Sequence, residues 1–252
     1  MNKRNRSIFF AVAAIVVLAC ACPGMSSLPG GGDQPPATFA PISTIPPVEI
    51  ETQEVPVVPS GDVLLSDDFN SDSGEWVLYS EDADVAEVRN GVYVLRATED
   101  TWAWGGGDTD FGDSITEVDA VLTEGPDNDN AGLGLICRLS ENADDSINGY
   151  LLAISADGYY YIGSIVSNDI NALVDWEYSD AINLGKVNNR LRATCVGDEI
   201  SLEVNGEVVA SASAVADGPT SGSVGFAVTS YESQNGQPNA TAEFDNLVVT
   251  GP

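Results

Sequence analysis

LRATCVGDEISLEVNGEVVA, residues 191–210, is the stretch of the chain that decides the fold. Apolar side chains recur at every second position, which is typical of a β-strand with one buried face. Two turn signals, Gly197-Asp198 and Asn205-Gly206, interrupt the alternation. Asn-Gly supplies the positive φ angles of a tight two-residue turn, so the stretch predicts three strands joined by hairpins.

The same pattern extends over residues 61–252. Asn90-Gly91 separates VAEVR from VYVLRA, and Asp157-Gly158 separates YLLAIS from YYYIGSIV. The alternation predicts about twelve to fourteen short strands and no helix. Many strands with short turns in a single domain predict an all-β fold, a two-sheet antiparallel jelly-roll sandwich.

The two cysteines of this region lie on apolar strand faces. Cys137 alternates with Leu135 and Leu139, and Cys195 alternates with Ala193 and Leu191. In an exported protein such a pair predicts a disulfide, although two free buried thiols remain the alternative. Because facing sheets lie ~10 Å apart, we expect the two strands to be neighbours within one sheet.

The N-terminus has the pattern of an export signal. Residues 1–22 read MNKRNRSIFFAVAAIVVLACAC, in which a basic start precedes an apolar run. The run has about 12 residues, whereas spanning a bilayer takes roughly 20. It ends in small residues and cysteine, which resembles a bacterial lipoprotein signal with Cys20 as the lipidated residue and Cys22 as the alternative. We expect an exported bacterial lipoprotein at the extracytoplasmic face of a membrane or at the cell surface, held to the membrane by its N-terminal lipid only.

Residues 23–60 are predicted to be a disordered tether. They are rich in Pro, Gly, Ser and Thr, include Gly30-Gly31-Gly32, and contain Phe39 as their one aromatic residue. Such a segment cannot bury enough apolar area to offset the entropy lost on ordering. The folded domain is therefore expected at 61–252.

Charge and the absence of histidine exclude several classes of function. The chain has 39 Asp and Glu against 9 Lys and Arg, a formal net charge of −30, and it contains no His. This charge repels phosphate backbones, so nucleic acid is not an expected partner. Without histidine, a Ser-His-Asp triad and His-ligated zinc are excluded.

A run of segments along the domain resembles a known family. In order they are SDDFNSDSGEWVLY, ITEVDAVL, AGLGLICR, YYYIG, LRATCVGDEISLEVNGEVVA and AEFDNLVV. Their order resembles the concanavalin A-like lectin/glucanase superfamily, and within it the 3-keto-disaccharide hydrolase-like domains of bacterial surface lipoproteins. The resemblance covers about residues 62–250 and implies a curved jelly roll with any sugar site on its concave face.

The resemblance does not bring an active site with it. Retaining glucanases of this fold carry Glu-x-Asp-x-x-Glu or a form one residue longer, whereas here Glu117, Asp119 and Glu124 leave the second glutamate seven residues after the first. Retaining chemistry requires two carboxyl groups about 5–5.5 Å apart, and a strand at this spacing separates them much further. We expect Glu117 and Asp119 to face solvent, and no catalytic residue is assigned.

Paired aromatic residues are the stronger functional signal. Trp102 and Trp104 beside the flexible Gly105-Gly106-Gly107, and Tyr159 and Tyr161, are pairs two residues apart that share a face if each segment is a strand. With Trp176 and Arg138 they are the candidate ligand-binding residues. Sugars bind to an apolar wall with a few polar anchors, although such rings also commonly fill a core.

Calcium is the only cofactor that the sequence suggests, and only weakly. Asp127-Asn128-Asp129-Asn130-Ala131-Gly132 keeps part of an EF-hand loop but lacks the glutamate at position twelve. We interpret it as a polar hairpin loop and expect no cofactor, with Asp127 and Asp129 as the calcium candidates.

These observations favour a surface-displayed, non-catalytic module that binds a glycan or polysaccharide. Two alternatives stay open. One is a structural or adhesive envelope lipoprotein with protein partners. The other is a glycoside-cleaving enzyme that uses carboxylates or a metal.

Overall fold

The computed structural model describes residues 61–81, 84–98, 101–231, 233–234 and 237–252. The predicted signal sequence, which includes Cys20 and Cys22, lies outside these ranges, and so does the predicted tether. Within them the chain is all-β and contains no helix. No helix of the described part is therefore long and apolar enough to cross a membrane.

The larger sheet has nine antiparallel strands, in the order β13-β12-β11-β6-β17-β4-β3-β2, and β1 also pairs with β17. The strands are β1 (Val63–Asp67), β2 (Tyr79–Glu81), β3 (Asp84–Arg89), β4 (Val92–Ala97), β6 (Ser114–Glu124), β11 (Asn189–Val196), β12 (Glu199–Val204), β13 (Glu207–Ser213) and β17 (Ala240–Thr250).

The smaller sheet has six antiparallel strands, in the order β10-β9-β8-β7-β14-β5. They are β5 (Ala103–Gly106), β7 (Ala131–Glu141), β8 (Ile147–Ser155), β9 (Tyr159–Val166), β10 (Asp169–Tyr178) and β14 (Ser223–Ser230). A separate pair is formed by β15 (Ser233–Gln234) and β16 (Gln237–Pro238).

The predicted hairpin turns are confirmed. Asn90 and Gly91 have φ of 53° and 83° and join β3 to β4, while Asn205 and Gly206 have φ of 52° and 88° and join β12 to β13. Positive φ at both central residues matches the right-handed twist of the strands on either side. Gly158, at φ 100°, lies in the turn between β8 and β9.

The core lies between the two sheets and contains one side chain in two from each inner strand. In β6 these are Val118, Ala120 and Leu122, all at most 1% exposed. An aromatic cluster fills part of the core, with ring centroids 4.6–6.1 Å apart: Phe69, Trp76, Tyr93, Phe226 and Phe244. Trp76 is thus a core residue, and its Nε1 donates to Asp67 Oδ2 at 2.8 Å.

The disulfide between Cys137 and Cys195 is present, but the expected arrangement of its strands is wrong. Cys137 lies on β7 in the smaller sheet and Cys195 on β11 in the larger sheet, with their Cα atoms 6.7 Å apart. The bond therefore crosses the core. Beside it, β7 has an irregularity in register and Arg138 has a φ of 52°.

The segment with Asp127 and Asp129 is not a hairpin loop. It joins β6 to β7, which belong to different sheets, so it crosses from one layer of the sandwich to the other. Short polar loops that join two strands of one sheet and loops that connect two sheets share the same composition, and the sequence did not separate them.

Candidate functional site

The outer face of the smaller sheet is apolar, which is unusual for a face that does not point to the core. In β7, Leu133 and Leu135 belong to the main core, whereas Ile136 belongs to a second apolar cluster. Its other buried members lie along the same face: Leu139, Ile147, Leu151, Ala153, Tyr161, Ile165 and Ala227. A soluble domain with one solvated sheet face usually carries polar side chains there, so this face has a different use.

Aromatic rings cover part of this face. Trp102, Trp104 and Trp176 are partly buried against the second cluster, as is Ile170. Tyr161 stacks on Trp176 with centroids 5.0 Å apart, and Tyr231 contacts both Trp176 at 5.9 Å and Trp102 at 6.2 Å. We call these five residues the aromatic surface: Trp102, Trp104, Tyr161, Trp176 and Tyr231.

Strand register places a floor of small residues between the rings. Trp104, Ala227, Gly134, Ala153 and Tyr161 are successive cross-strand partners from β5 to β9. Cross-strand partners point to the same face of a sheet. The rings of Trp104 and Tyr161 are therefore separated by one glycine and two alanines. The two alanines, Ala227 and Ala153, are at most 1% exposed.

Glycines allow two of the rings to lie close to the sheet. A Cβ at Gly132 would stand 2.8 Å from Trp102 Cη2, and one at Gly163 would stand 2.6 Å from Tyr161 Cε1. Both distances are shorter than a van der Waals contact, so a larger residue at either position displaces the ring above it. The position of the Trp102 ring thus depends on Gly132 in β7, and that of the Tyr161 ring depends on Gly163 in its own strand.

A carboxylate provides a polar anchor beside the rings. Asp175 is exposed, accepts a hydrogen bond from the backbone N–H of Trp176 at 2.9 Å, and lies close enough to act on Tyr161. Burial, and then the charge of Asp175, raise the pKa of the Tyr161 hydroxyl above its ordinary value of 10.0. The hydroxyl stays protonated near neutral pH and remains a donor, while Asp175 is an acceptor.

Basic side chains do not point out of this face. Strands β5, β8, β9, β10 and β14 contain no Lys or Arg. The remaining strand, β7, contains Arg138, which is 3% exposed. The outer face of the smaller sheet therefore combines rings and acceptors without a fixed positive charge.

Arg138, a sequence candidate for ligand binding, lies apart from the aromatic surface. Its Nη2 donates to the carbonyl oxygens of Gly197 at 2.9 Å and Cys195 at 3.3 Å, and it pairs with Asp113 Oδ1 at 3.2 Å. Asp113 also accepts from the backbone N–H of Gly197 at 2.8 Å. Arg138 thus joins the two sheets beside the disulfide.

The other sequence candidates divide into two groups. Trp102, Trp104, Tyr161 and Trp176 lie on one face of one sheet. Their spacing predicted that Trp102 and Trp104 share a face, but not that rings from different strands meet. Tyr159 is 40% exposed at the start of β9 and contacts Tyr178 edge-on, with centroids 5.8 Å apart. Tyr231 was missed, because it follows β14 as a single aromatic residue with no aromatic partner two positions away.

The glycines beside the tryptophans are not flexible, contrary to expectation. Gly105 and Gly106 lie in β5 and are buried. A Cβ at Gly105 would overlap the hydroxyl of Tyr93, which donates to the carbonyl of Val77 at 3.0 Å. Glycine is needed here for close packing.

Asp127 and Asp129, the calcium candidates, lie in the loop between the sheets. Asp129 has a φ of 59°, and its backbone N–H donates to the carbonyl of Pro126 at 3.0 Å. Across the described ranges, no group of three or more His, Cys, Asp or Glu is placed to hold a metal ion. Calcium binding at this loop stays a prediction.

Glu117 and Asp119 lie on the outer face of the larger sheet, but the expectation that both face solvent is wrong for Glu117. Glu117 is 6% exposed and lies between Arg190, at 3.3 Å, and Arg192, at 3.7 Å. Asp119 also pairs with Arg190 at 3.3 Å. Arg192 also pairs with Glu203 at 3.8 Å, which adds Glu203 to the network. These carboxylates hold neighbouring strands together through shared arginines.

A surface depression of about 460 Å³ adjoins this network. Its lining residues are Ser66, Asp67, Asp68, Arg190, Asn246, Leu247 and Val248. Asp67 is already engaged by Trp76 and by Ser73 Oγ at 3.0 Å, and Arg190 Nη1 donates to the carbonyl of Asn246 at 3.0 Å. Asp67 and Arg190 thus already have hydrogen-bond partners within the protein.

Comparison with known proteins identifies the fold. The domain is a concanavalin A-like, galectin-like jelly roll. It superposes on the carbohydrate-binding module CBM66 from Bacillus subtilis with a TM-score of 0.55 at 17% identity, covering 70% of this chain and 96% of that one. No family model and no curated protein sequence matches the chain.

Two further structures support the same fold. A protein of unknown function with a galectin-like fold from Bacillus subtilis gives a TM-score of 0.56 at 13% identity, covering 76% of this chain and 97% of that one. A β-1,3-1,4-glucanase (lichenase) derived from a mouse hindgut metagenome gives 0.53 at 14% identity, covering 75% and 98%. At these identities the similarity concerns the fold, so function has to be argued from the site.

Proposed function

We propose that this protein is a lipid-anchored, non-catalytic module that binds glycans through the aromatic surface. One observation carries the proposal: five rings lie over a floor of small residues on an outward sheet face that has no outward base. Flat rings match the apolar faces of sugar rings, while Asp175 and the tyrosine hydroxyls can bond to sugar hydroxyls. The carbohydrate-binding and glucanase neighbours of the fold support a glycan ligand.

The contacts of the alternative carboxylate site favour a structural role. Glu117, Asp119 and Glu203 are bound to arginines on adjacent strands. A retaining mechanism needs one carboxyl group as acid and another as nucleophile, each directed at the substrate. These three are directed at guanidinium groups instead. No specific observation favours an enzymatic function over binding.

Retention of the purified full chain on immobilised polysaccharides tests glycan binding. Buried aromatic anchors typically contribute 2 kcal/mol or more to a binding interface, which is a factor of about 30 in affinity. We expect W102A and W176A each to weaken retention by at least about 10-fold. V208S is the matched control, because Val208 is 60% exposed on β13 of the other sheet.

Two results would contradict the proposal. One is absence of retention on every glycan class tested. The other is equal retention of the wild-type and both tryptophan variants, with all chains folded by circular dichroism. Self-association of the chain through this face, removed by the same two substitutions, would indicate a protein interface in place of a glycan site.

The membrane anchor is proposed from the sequence. Cys20 follows an apolar run and small residues, the arrangement typical of a lipidated cysteine. In cells fed labelled fatty acid, Cys20→Ser is expected to abolish incorporation. Incorporation that persists in Cys20→Ser but is lost in Cys22→Ser would move the anchor by two residues.

A further inference from the structure

A second pair of exposed rings lies beside the aromatic surface. Tyr159 and Tyr178 are direct cross-strand partners at the end of the β9–β10 hairpin, and they are 40% and 52% exposed. Each is two residues from a ring of the aromatic surface, Tyr161 in β9 and Trp176 in β10. Two residues of a strand advance about 7 Å, so the second pair lies next to the first on the same face.

Leu184 extends this second pair. It is 53% exposed, and a Cβ at Gly158 would stand 2.6 Å from Tyr178 Cε2 and 2.8 Å from Leu184 Cδ2. Tyr178 and Leu184 therefore converge over a glycine, as Trp102 does over Gly132. Three exposed apolar side chains thus lie together, and an exposed apolar patch next to a binding site is suited to extend it.

The rings extend across the whole sheet. Trp102 precedes β5 at one edge, and Tyr178 ends β10 at the other edge. The rings themselves lie closer together than the edges, because Trp102 and Trp176 both contact Tyr231, with centroids 6.2 Å and 5.9 Å apart. Tyr178 lies two strand residues, about 7 Å, beyond Trp176, so the path along the rings from Trp102 to Tyr178 is about 19 Å long. A single sugar residue covers only a small part of this distance, whereas a chain of several sugars can contact both groups of rings.

Charge restricts the chemistry of such a chain. The charged group beside the second pair is acidic, because Asp180 lies next to the Tyr178 hydroxyl. The charge of Asp180, then burial, raise the pKa of Tyr178 above 10.0. With no outward base on the strands of this sheet, Asp175 beside Tyr161 and Asp180 beside Tyr178 would repel uronate or sulfate groups of a bound chain.

We infer that the site binds an uncharged polysaccharide along the length of its chain, with Tyr159 and Tyr178 forming a second subsite. The inference rests on the proposed glycan-binding function and specifies its ligand class. It requires that affinity increase with the number of sugar residues and that anionic polymers bind poorly. Carboxylates of the site would accept hydrogen bonds from the hydroxyls of a neutral chain.

The experiment uses immobilised neutral polymers (β-glucan, levan and galactomannan) and anionic polymers (alginate and polygalacturonate), followed by oligosaccharides prepared from whichever polymer retains the full chain. A neutral polymer is expected to be retained, with affinity rising at least about 10-fold from disaccharide to hexasaccharide. Y178A should flatten this dependence on length, whereas W176A should weaken binding at every length.

The outcomes separate the two proposals. Length-independent affinity, retention on anionic polymers only, or an unchanged length dependence in Y178A would overturn the extended neutral site and leave glycan binding in place. Absence of retention on all five polymers would overturn both.

Discussion

Replacing Cys137 and Cys195 together with alanine removes the covalent link between the two sheets. The bond closes a loop with a sequence separation of 58 residues. In the chain-entropy model, a loop of this length stabilises the native state by about 4 kcal/mol relative to an unfolded chain without the bond. For a domain of this size each kcal/mol corresponds to about 2–4 °C in Tm, so we expect Tm to fall by about 8–16 °C.

Thermal unfolding followed by circular dichroism measures this effect on the full chain. The far-UV spectrum at 20 °C should keep its β signature, because both cysteines are buried within strands that many other contacts hold. Adding reductant to the double variant is the control and should leave its Tm unchanged. Cys20 and Cys22 also carry thiols, so thiols are counted in a chain in which both are replaced by serine. Two titratable thiols in that chain, denatured and unreduced, or a decrease in Tm smaller than about 3 °C in the double alanine variant, would refute the reasoning.

Three further predictions test the contacts described above. R138M removes three hydrogen bonds between the sheets and should lower stability by about 2–3 kcal/mol in urea unfolding, while glycan affinity at 20 °C stays unchanged; a selective loss of affinity would restore Arg138 as a ligand residue. G134A brings a Cβ to 2.7 Å from the Ala153 Cα and should lower Tm by about 5–10 °C. G132A brings a Cβ to 2.8 Å from Trp102 Cη2 and 3.3 Å from Thr229 Cγ2, so its nearest neighbours are side-chain atoms rather than backbone, and it should weaken glycan binding more than it lowers Tm. In an absorbance titration, the Tyr161 hydroxyl should ionise above pH 10.0, and the signal is assigned by its absence in Y161F. The stability contributed by the protonated hydroxyl should be complete below the pKa of the unfolded chain and should decrease as pH rises through the higher pKa of the folded chain. Ionisation at or below pH 10.0 would contradict burial of the hydroxyl beside Asp175.

Local sequence signals predicted the local structure well. Alternating apolar residues and Asn-Gly turns depend on neighbouring residues only, and they predicted the strands, the hairpins at Asn90 and Asn205, and the two-sheet sandwich. Residues at positions i and i+2 share a strand face, so Trp102 could be grouped with Trp104, and Tyr159 with Tyr161, although the pattern did not say whether a pair faced the core or solvent.

Pairing between distant strands could not be predicted in the same way. The alternation of Cys137 and Cys195 shows that both point inward, but it is compatible with neighbouring strands and with facing strands. Average sheet spacing favoured neighbours, whereas the sheets approach to a Cα separation of 6.7 Å at this place. Local geometry near Arg138, where the register of β7 shifts, was not readable from the sequence.

The candidate site depended on both kinds of information. The rings could be named from the sequence, but their common face required the order of six strands. Tyr231 joined them only through tertiary structure, and Arg138 left them because its guanidinium turns to the backbone of the larger sheet. Glu117 was placed on the correct face, but its burial depended on two arginines that are neighbours only in the folded chain.

The most direct measurement of the central claim is the response of the four tryptophan indole N–H signals to a glycan, observed by NMR. Trp102, Trp104 and Trp176 lie on the outer face of the smaller sheet, whereas Trp76 is 5% exposed in the core with its Nε1 bonded to Asp67. Titration with a retained neutral oligosaccharide should shift the signals of the first three and leave Trp76 unchanged. Saturating glycan that shifts none of those three, or shifts only signals of the larger sheet around Arg190, would contradict the assignment of the aromatic surface as the binding site.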